Sequence, residues 1–283
     1  MADNLLNIGD FTIIKRIGTG ARSTIYSATD NTNNHNVALK RVIFEKPQDF
    51  RIFEQVETEF KVAQKIDHPY VRKCYKLKKI RRMLKTKELL LSMELFDGQT
   101  LEHGPALSLI DILLVFRMVA SGLDAMHRQG FVHCDIKPNN ILMNKTGTIK
   151  IIDLGQTCKI GTAKQRIQGT PDYIAPEQVK RKPLGPKTDI FNLGATMYWA
   201  LTGQNVPTLI PKTDKHGMTI PPKKCRPPHK LKKQVPVPVS KLVMDCVMED
   251  PIKRPHDIMS VITRLDLMIR SILGDKIKTN KNA

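Results

Sequence analysis

The sequence predicts an α+β fold of two lobes, a small antiparallel β lobe with one helix and then a larger, mainly helical lobe. Three features carry this expectation. Alternating apolar and polar residues mark strands through the first third of the chain, and apolar residues at three- and four-residue spacing mark helices through most of the rest. The turn-forming pair Asp97-Gly98 falls between them.

The β lobe opens with the runs Phe11–Ile17, Thr24–Ala28 and Asn36–Val42, separated by Gly18-Thr19-Gly20 and Asp30-Asn31-Thr32-Asn33-Asn34. These read as three antiparallel strands joined by turns. Phe53, Val56, Phe60, Ala63 and Ile66 share one stripe of an amphipathic helix that ends before His68-Pro69. Two more strands are expected near Val71–Lys78 and Glu88–Leu95. In the second lobe, Ile112, Val115, Phe116, Val119, Leu123 and Met126 form a helical stripe, with Gly130 as its stop. Strands at Ile141–Met143 and Ile149–Ile152 make a hairpin through Lys145-Thr146-Gly147. Further helices are expected near Asp189–Leu201, Ser240–Met248 and His256–Ile272. The stretch Thr202–Pro238 is rich in proline and lysine, shows no periodicity and reads as loop. Residues 276–283 are polar and read as a flexible tail.

Composition bounds the function. A chain of 283 residues with 41% apolar content can bury a sizeable core. Its longest apolar run, around Leu107–Val115, is broken by Asp111 and Arg117 and falls short of the ~18 residues a membrane-spanning helix needs. The start of the chain has neither the basic opening nor the apolar stretch of a secretory signal, so a cytoplasmic protein is expected. Five scattered cysteines without a Cys-x-x-Cys pair point to reduced thiols. The formal charge is +19, with 46 Lys and Arg against 27 Asp and Glu, which favours acidic surfaces without naming one.

Several residues point to chemistry. Gly18 and Gly20 lie between two strands, where the backbone can approach an anion closely, although a plain hairpin turn explains them equally. Lys40 sits in the apolar strand segment Val37-Ala38-Leu39, where an unpaired ammonium would be costly. Glu59, on the inward stripe of the first helix, is its natural partner; alone, Glu59 would read as part of a solvated helix face. The decisive run is His133-Cys134-Asp135-Ile136-Lys137-Pro138-Asn139-Asn140, followed after a hairpin by Asp153-Leu154-Gly155.

With these motifs in this order, the chain resembles the eukaryotic-type (Hanks-type) Ser/Thr protein kinase family, and its Pro176-Glu177-Gln178 is similar to bacterial members. The resemblance implies a two-lobed kinase fold that transfers the γ-phosphoryl group of ATP to a serine or threonine hydroxyl of a protein. It implies Asp135 as the base, Lys137 near the γ-phosphate, and the Lys40–Glu59 pair holding the α- and β-phosphates. Asn140 and Asp153 would hold Mg²⁺, a hard cation that prefers oxygen ligands. Ile17, Gly18, Gly20, Ile25, Ala38, Lys40, Met93, Glu94, Phe96, Asn140 and Asp153 would bind the nucleotide, with Met93 behind adenine and the backbone of Glu94 and Phe96 at its edge. Gly169-Thr170-Pro171-Asp172-Tyr173-Ile174-Ala175-Pro176-Glu177 matches the end of an activation segment. Thr170 is expected near Asp135 and Lys137, Glu177 against Arg254, and Asp189 beneath the catalytic loop. In these terms residues 1–97 form the lobe with flap, Lys–Glu pair and hinge. Residues 98–275 carry the catalytic loop, the activation segment and a basic insert at 204–238.

The chain departs from the family pattern at three places. Cys134 stands where the family has an arginine that receives a phosphate on the activation segment, and Arg166 occupies the approximate place of that phosphate. Gln99–Ser108 is too short for the usual helix after the hinge. The proline-rich stretch replaces a substrate-docking helix. Alternatives to a protein kinase are a module that keeps the fold without transfer, a basic scaffold that binds an acidic partner through 204–238, and a small-molecule phosphotransferase on a related fold, which the Glu177 and Arg254 pairing disfavours. Nucleic acid is a third candidate partner, suggested by Arg72, Lys73, Lys76, Lys78, Lys79, Arg81, Arg82, Lys85 and Lys87. Tyr75 is the only aromatic residue there for a base to stack on, which disfavours it.

Overall fold

The computed structural model describes residues 6–20, 22–45, 50–82, 85–207, 210, 212–213, 219–220 and 224–281; for 82, 212–213, 219–220 and 275–281 it describes the backbone only. The chain divides into two units, Met1–Asp97 with Ile152–Gly155, and Gly98–Ile151 with Gln156–Ala283.

The first unit is an antiparallel sheet of β1 (Asn7–Ile8), β2 (Phe11–Gly20), β3 (Ser23–Asp30), β4 (His35–Ile43), β5 (Cys74–Arg82) and β6 (Lys85–Glu94), in the order β1-β2-β3-β4-β6-β5. The turn between β3 and β4 is built by Asp30, whose Oδ1 accepts from the Thr32 backbone N–H at 3.0 Å and its hydroxyl at 2.7 Å. This is the local bonding that makes Asp a turn residue. Strand alternation then sorts β4. Val37 and Leu39 join Ile8, Phe11, Ile13, Ala28 and Leu90 in a buried cluster, and Ala38 and Lys40 take the opposite face. Register sets Ala38 against Met93 and Lys40 against Leu91. Helix α1 (Phe50–Ala63) buries Phe53, Val56, Glu59 and Val62, at three-residue spacing.

Four bases of the cluster between residues 72 and 87 are paired with carboxylates. Lys76 and Lys78 both meet Asp10, Lys79 meets Glu57 and Lys73 meets Asp67. Arg72 was expected among these solvated charges but is buried, donating from Nε to the Glu94 carbonyl at 3.0 Å. The sequence pattern could not distinguish it because a buried arginine bound to a backbone carbonyl looks like any other base in a basic run.

In the second unit, α2 (Leu109–Arg128), α4 (Pro186–Thr202), α6 (Val237–Cys246) and α7 (Ile258–Lys281) are the long helices, and α3 (Pro176–Val179) is a single turn. Ser108 caps α2 by accepting from the Asp111 backbone N–H at 3.3 Å, and Gly130, at φ +78°, turns the chain away after it. Helices α4 and α6 approach so closely that a Cβ on Gly194 would lie 2.4 Å from the Cβ of Cys246. Strands β7 (Gln99–Thr100), β9 (Ile141–Met143) and β10 (Ile149–Ile151) form one small sheet, and β8 (Phe131–Val132) pairs with β11 (Cys158–Lys159) in another.

Two expectations are corrected. The stretch 202–238 is not wholly loop. It contains the two-residue strands β12 (Lys212–Thr213) and β13 (Thr219–Ile220) and the one-turn helix α5 (Pro228–Leu231), and α6 begins within it at Val237. Prolines open both helices, at positions where a missing N–H is harmless. Of the tail expected over 276–283, the backbone of 276–281 continues α7, because extending an existing helix adds a backbone hydrogen bond for each residue fixed, and 282–283 lie outside the described residues. No helix of the described residues is long and apolar enough to cross a membrane.

Candidate functional site

In the first unit, β4 delivers Lys40 and α1 delivers Glu59, and Lys40 Nζ lies 2.7 Å from Glu59 Oε2 and 3.9 Å from Asp153 Oδ1. Burial opposes the ammonium, but the Glu59 and Asp153 carboxylates overcome this and hold its pKa above the usual lysine value. Asp153 adopts φ +62°, a left-handed conformation that a non-glycine residue reaches only against strain. Gly18 pairs with Ile25 and Gly20 with Ser23 across the β2–β3 hairpin. A Cβ on Gly20 would stand 2.7 Å from Ser23 Oγ, so a side chain there would have to displace the serine. Ala21, between the glycine and Arg22, lies outside the described residues. Ile17 is exposed, Ile25 half-buried, and Ala38 and Met93 are buried. Glu94 and Phe96 are half-buried at the end of the unit.

The second unit gathers Asp135, Lys137, Asn140 and Thr170. The buried Asp135 carboxylate accepts through Oδ1 from the Thr170 backbone N–H at 3.1 Å and hydroxyl at 3.0 Å. Its Oδ2 accepts from Lys137 Nζ at 2.9 Å and Asn140 Nδ2 at 3.2 Å. Lys137 Nζ also donates to Thr170 Oγ1 at 2.7 Å. Asn140 Nδ2 further donates to the Asp135 carbonyl at 2.8 Å, which fixes the amide and leaves its Oδ1 as the free-facing acceptor.

The loop is held from below by α4. Asp189 accepts from the backbone N–H of His133 at 2.9 Å and Cys134 at 2.8 Å, and from His127 Nε2 at 2.8 Å. Its full burial works against ionisation, yet the His127 hydrogen bond and charge hold the carboxyl below the usual range. Glu177 and Arg254 form two parallel hydrogen bonds of 2.7 and 2.9 Å.

Sequence reasoning missed several supports. Gln178 donates from Nε2 to the carbonyls of Cys134 at 2.8 Å and Gln168 at 3.1 Å, tying the loop to the segment that precedes Thr170. Asn192 donates to the Tyr173 carbonyl at 2.7 Å, and Thr196 to that of Ile136 at 3.1 Å. A signal existed. Thr188, Asp189, Asn192 and Thr196 are buried polar residues at helical spacing in the otherwise apolar α4, and each needs a partner. Arg166, in the approximate place of a segment phosphate, could order the segment through a nearby carboxylate, but it has no such partner among the described residues.

The donors present suit a hydrated hard cation better than a metal caged by protein alone. Among the described residues no group of three or more His, Cys, Asp or Glu could hold one alone. Mg²⁺ does not need such a cage, since it keeps water and takes one or two protein oxygens with substrate phosphates. Asn140 Oδ1 in the second unit and the Asp153 carboxylate in the first are of that kind.

The family model described as the protein kinase domain matches residues 11–264. The chain is 28% identical over 255 residues to the serine/threonine-protein kinase PknA of Mycobacterium tuberculosis, covering 87% of this chain and 58% of that protein. It is 29% identical over 221 residues to the SNF1-related protein kinase catalytic subunit alpha KIN12 of Arabidopsis thaliana, covering 75% and 44%. A probable serine/threonine-protein kinase of Clostridium acetobutylicum is 25% identical over 278 residues, covering 94% and 41%. The chain thus spans about half the length of these relatives. With a domain match across nearly all of its length, it belongs to the protein kinase family, among the Hanks-type serine/threonine kinases.

Proposed function

We propose that this chain transfers the γ-phosphoryl group of ATP to a serine or threonine hydroxyl of a protein substrate. The observation that carries the reading is the Asp135 carboxylate, buried yet bonded by four donors from Lys137, Asn140 and Thr170. Those bonds fix where its oxygens point, and a base must be held within reach of the proton it takes. Asp135 accepts the proton of the attacking hydroxyl. Lys137 keeps a positive charge beside it and draws Thr170 into the same network, which positions the substrate-facing end of the segment. Lys40, kept charged by Glu59, offers its ammonium to the nucleotide phosphates. Ile17, Gly18, Gly20, Ile25, Ala38, Met93, Glu94 and Phe96 are assigned to the nucleotide on their match to the family motif. Bound Mg²⁺, held by Asn140 and Asp153, would neutralise charge on the phosphate oxygens.

The four residues whose loss would mark a module without transfer, Lys40, Asp135, Asn140 and Asp153, are all present. An acidic partner remains part of the proposal because Lys224, Arg226, Lys230, Lys232 and Lys233 are all exposed. Of the other lysines of the insert, Lys215 and Lys223 lie outside the described residues, and for Lys212 only the backbone is described. The test is transfer of labelled phosphate from Mg·ATP to a protein mixture, with Asp135→Asn as control. Equal incorporation by the two proteins would overturn the reading.

A further inference from the structure

Cys134 and Cys158 lie far apart in sequence, yet their sulfurs face each other at 3.7 Å. The pairing of β8 with β11 brings them together by setting Cys158 opposite Val132, two residues before Cys134. Both pack with Val132 and Leu184 in one small apolar cluster. Cys134 is buried at 1% exposure, while Cys158 is only half-buried and so within reach of a small solute. Cys134 also occupies the position where the family's phosphate-binding arginine is missing.

We infer that Cys134 and Cys158 form a reversible disulfide, driven by hydrogen peroxide, that ties the catalytic loop to the start of the activation segment. A thiolate is the attacking species in such chemistry. The contact with Cys134 and the nearby Lys164 ammonium lower the Cys158 pKa, whereas the same contact and burial raise that of Cys134. Cys158 therefore reacts first. Its thiolate attacks one peroxide oxygen, the O–O bond breaks, and the departing hydroxide takes a proton to become water, leaving a sulfenic acid. Cys134 sulfur, giving up its proton, attacks the Cys158 sulfur. The S–S bond forms, the S–O bond breaks, and the departing hydroxide leaves with that proton as a second water. Two thiols and one peroxide thus yield one disulfide and two waters, with two electrons passing from sulfur to oxygen. A dithiol reductant reverses it by exchange.

The bond requires the sulfurs, now 3.7 Å apart, to close to ~2.05 Å. The backbone around Cys134 resists moving, because its N–H is held by Asp189 at 2.8 Å and its carbonyl by Gln178 at 2.8 Å. Closure therefore falls on the Cys134 side chain and on Cys158, which sits in a two-residue strand, and Asp135 stays in place. The link would close a loop from 134 to 158 and restrict the unfolded chain.

The names of the two linked segments rest on the kinase reading, but the bond does not, so it is read by mass. Reduced and peroxide-treated full chains are alkylated, denatured and digested with trypsin without reductant. Cys134 then lies on peptide 129–145 and Cys158 on peptide 151–159. The expected product of oxidation is these two peptides joined, two hydrogens lighter than their sum and separated by dithiothreitol, with the oxidised protein melting several degrees higher. In Cys134→Ser, a sulfenic acid on Cys158 should persist and be trapped by dimedone. Absence of the joined peptide at a peroxide dose that modifies Cys158, failure of either sulfur to react, or a joined form that melts lower than the reduced one would each overturn the inference. A protein that forms the bridge but transfers no phosphate in either state would instead count against the kinase reading alone.

Discussion

Arg254 meets Glu177 through both terminal nitrogens, at 2.7 and 2.9 Å, with its guanidinium wholly buried and stacked 4.9 Å from the Phe191 ring centre. The guanidinium also donates to the carbonyls of Met248, Lys187 and Glu249, so one side chain fastens the end of the activation segment to the start of α4 and the end of α6. Removing one partner leaves a buried charge uncompensated, which typically costs ~3 to 5 kcal/mol. Arg254→Ala should therefore lower the denaturation midpoint sharply, and Glu177→Ala should do nearly the same. The double variant should lose less than the sum of the two. Additive losses in a denaturant series would mean that the pair does not act as a unit.

Asp135→Asn should separate chemistry from folding. Asparagine is of similar shape and retains one oxygen for Thr170, but it cannot take the hydroxyl proton. A positioned general base contributes ~10²- to 10⁴-fold, so kcat should fall by at least that much while the melting curve stays near that of the parent. Steady-state kinetics and thermal unfolding on the same preparation give both readouts, and a kcat within tenfold of the parent would remove Asp135 from the role of base.

How much of this was legible in the sequence depended on whether the signal was local. Five of the six strands of the first sheet, the α1 stripe and the hairpin at Ile141–Ile151 follow from periodicity and turn chemistry, which nearest neighbours decide, whereas β1 is two residues long and shows no alternation. Lys40 and Glu59, far apart in the chain, were legible as a pair only because a lysine in an apolar strand demands a partner. Gln178 and Asn192 were not seen in their roles, since what they bond is backbone carbonyl, and a carbonyl carries no side-chain identity to match. Arg72 failed for the same reason. The stretch 202–238 misled because proline reads as a breaker, whereas at the first positions of α5 and α6 it starts a helix. The thiol pair was invisible because the β8–β11 pairing that creates it spans only two residues on each strand.

Asp189 gives the protein a definite acid dependence. Its carboxyl is held below the usual range in the folded protein, so it releases its proton more readily folded than unfolded. The stability it contributes is fully present above the unfolded-chain value of about 3.9 and disappears as pH falls through the lower folded value. Asp189→Asn should therefore destabilise the protein at neutral pH, and the gap between the two proteins should narrow below about pH 4. A gap that widens on acidification would contradict the assignment of the charged form to the folded state.

Activity should survive complete removal of phosphate from the activation segment. Cys134 offers no cation to receive one, and the segment is already held by Gln178 at Gln168 and by Asp135 at Thr170. Phosphatase-treated protein, checked by intact mass, should keep most of its initial rate. A collapse in rate that returns only when Thr157 or Thr162 is phosphorylated again would show that the segment needs its phosphate after all.

The exposed bases Lys224, Arg226, Lys230, Lys232 and Lys233 make the last case, and electrostatic range decides it. Pro228 and Val235 are buried on either side of Lys230, Lys232 and Lys233, so the backbone there is anchored while the charges face water. A fixed row of charges attracts an acidic protein over a Debye length, ~10 Å at 0.1 M salt and ~3 Å at 1 M. Such steering acts on association more than on residence, so it should appear in KM and not in kcat. Changing the five residues to glutamine should raise KM for an acidic protein substrate severalfold at low salt and leave KM for a short neutral peptide unchanged. The difference between parent and variant should fade as salt approaches 1 M, because screening removes what the substitutions removed. An unchanged KM for the acidic protein at low salt would show that these bases are only solvated; a loss that persists at high salt would trace the effect to local packing instead of charge.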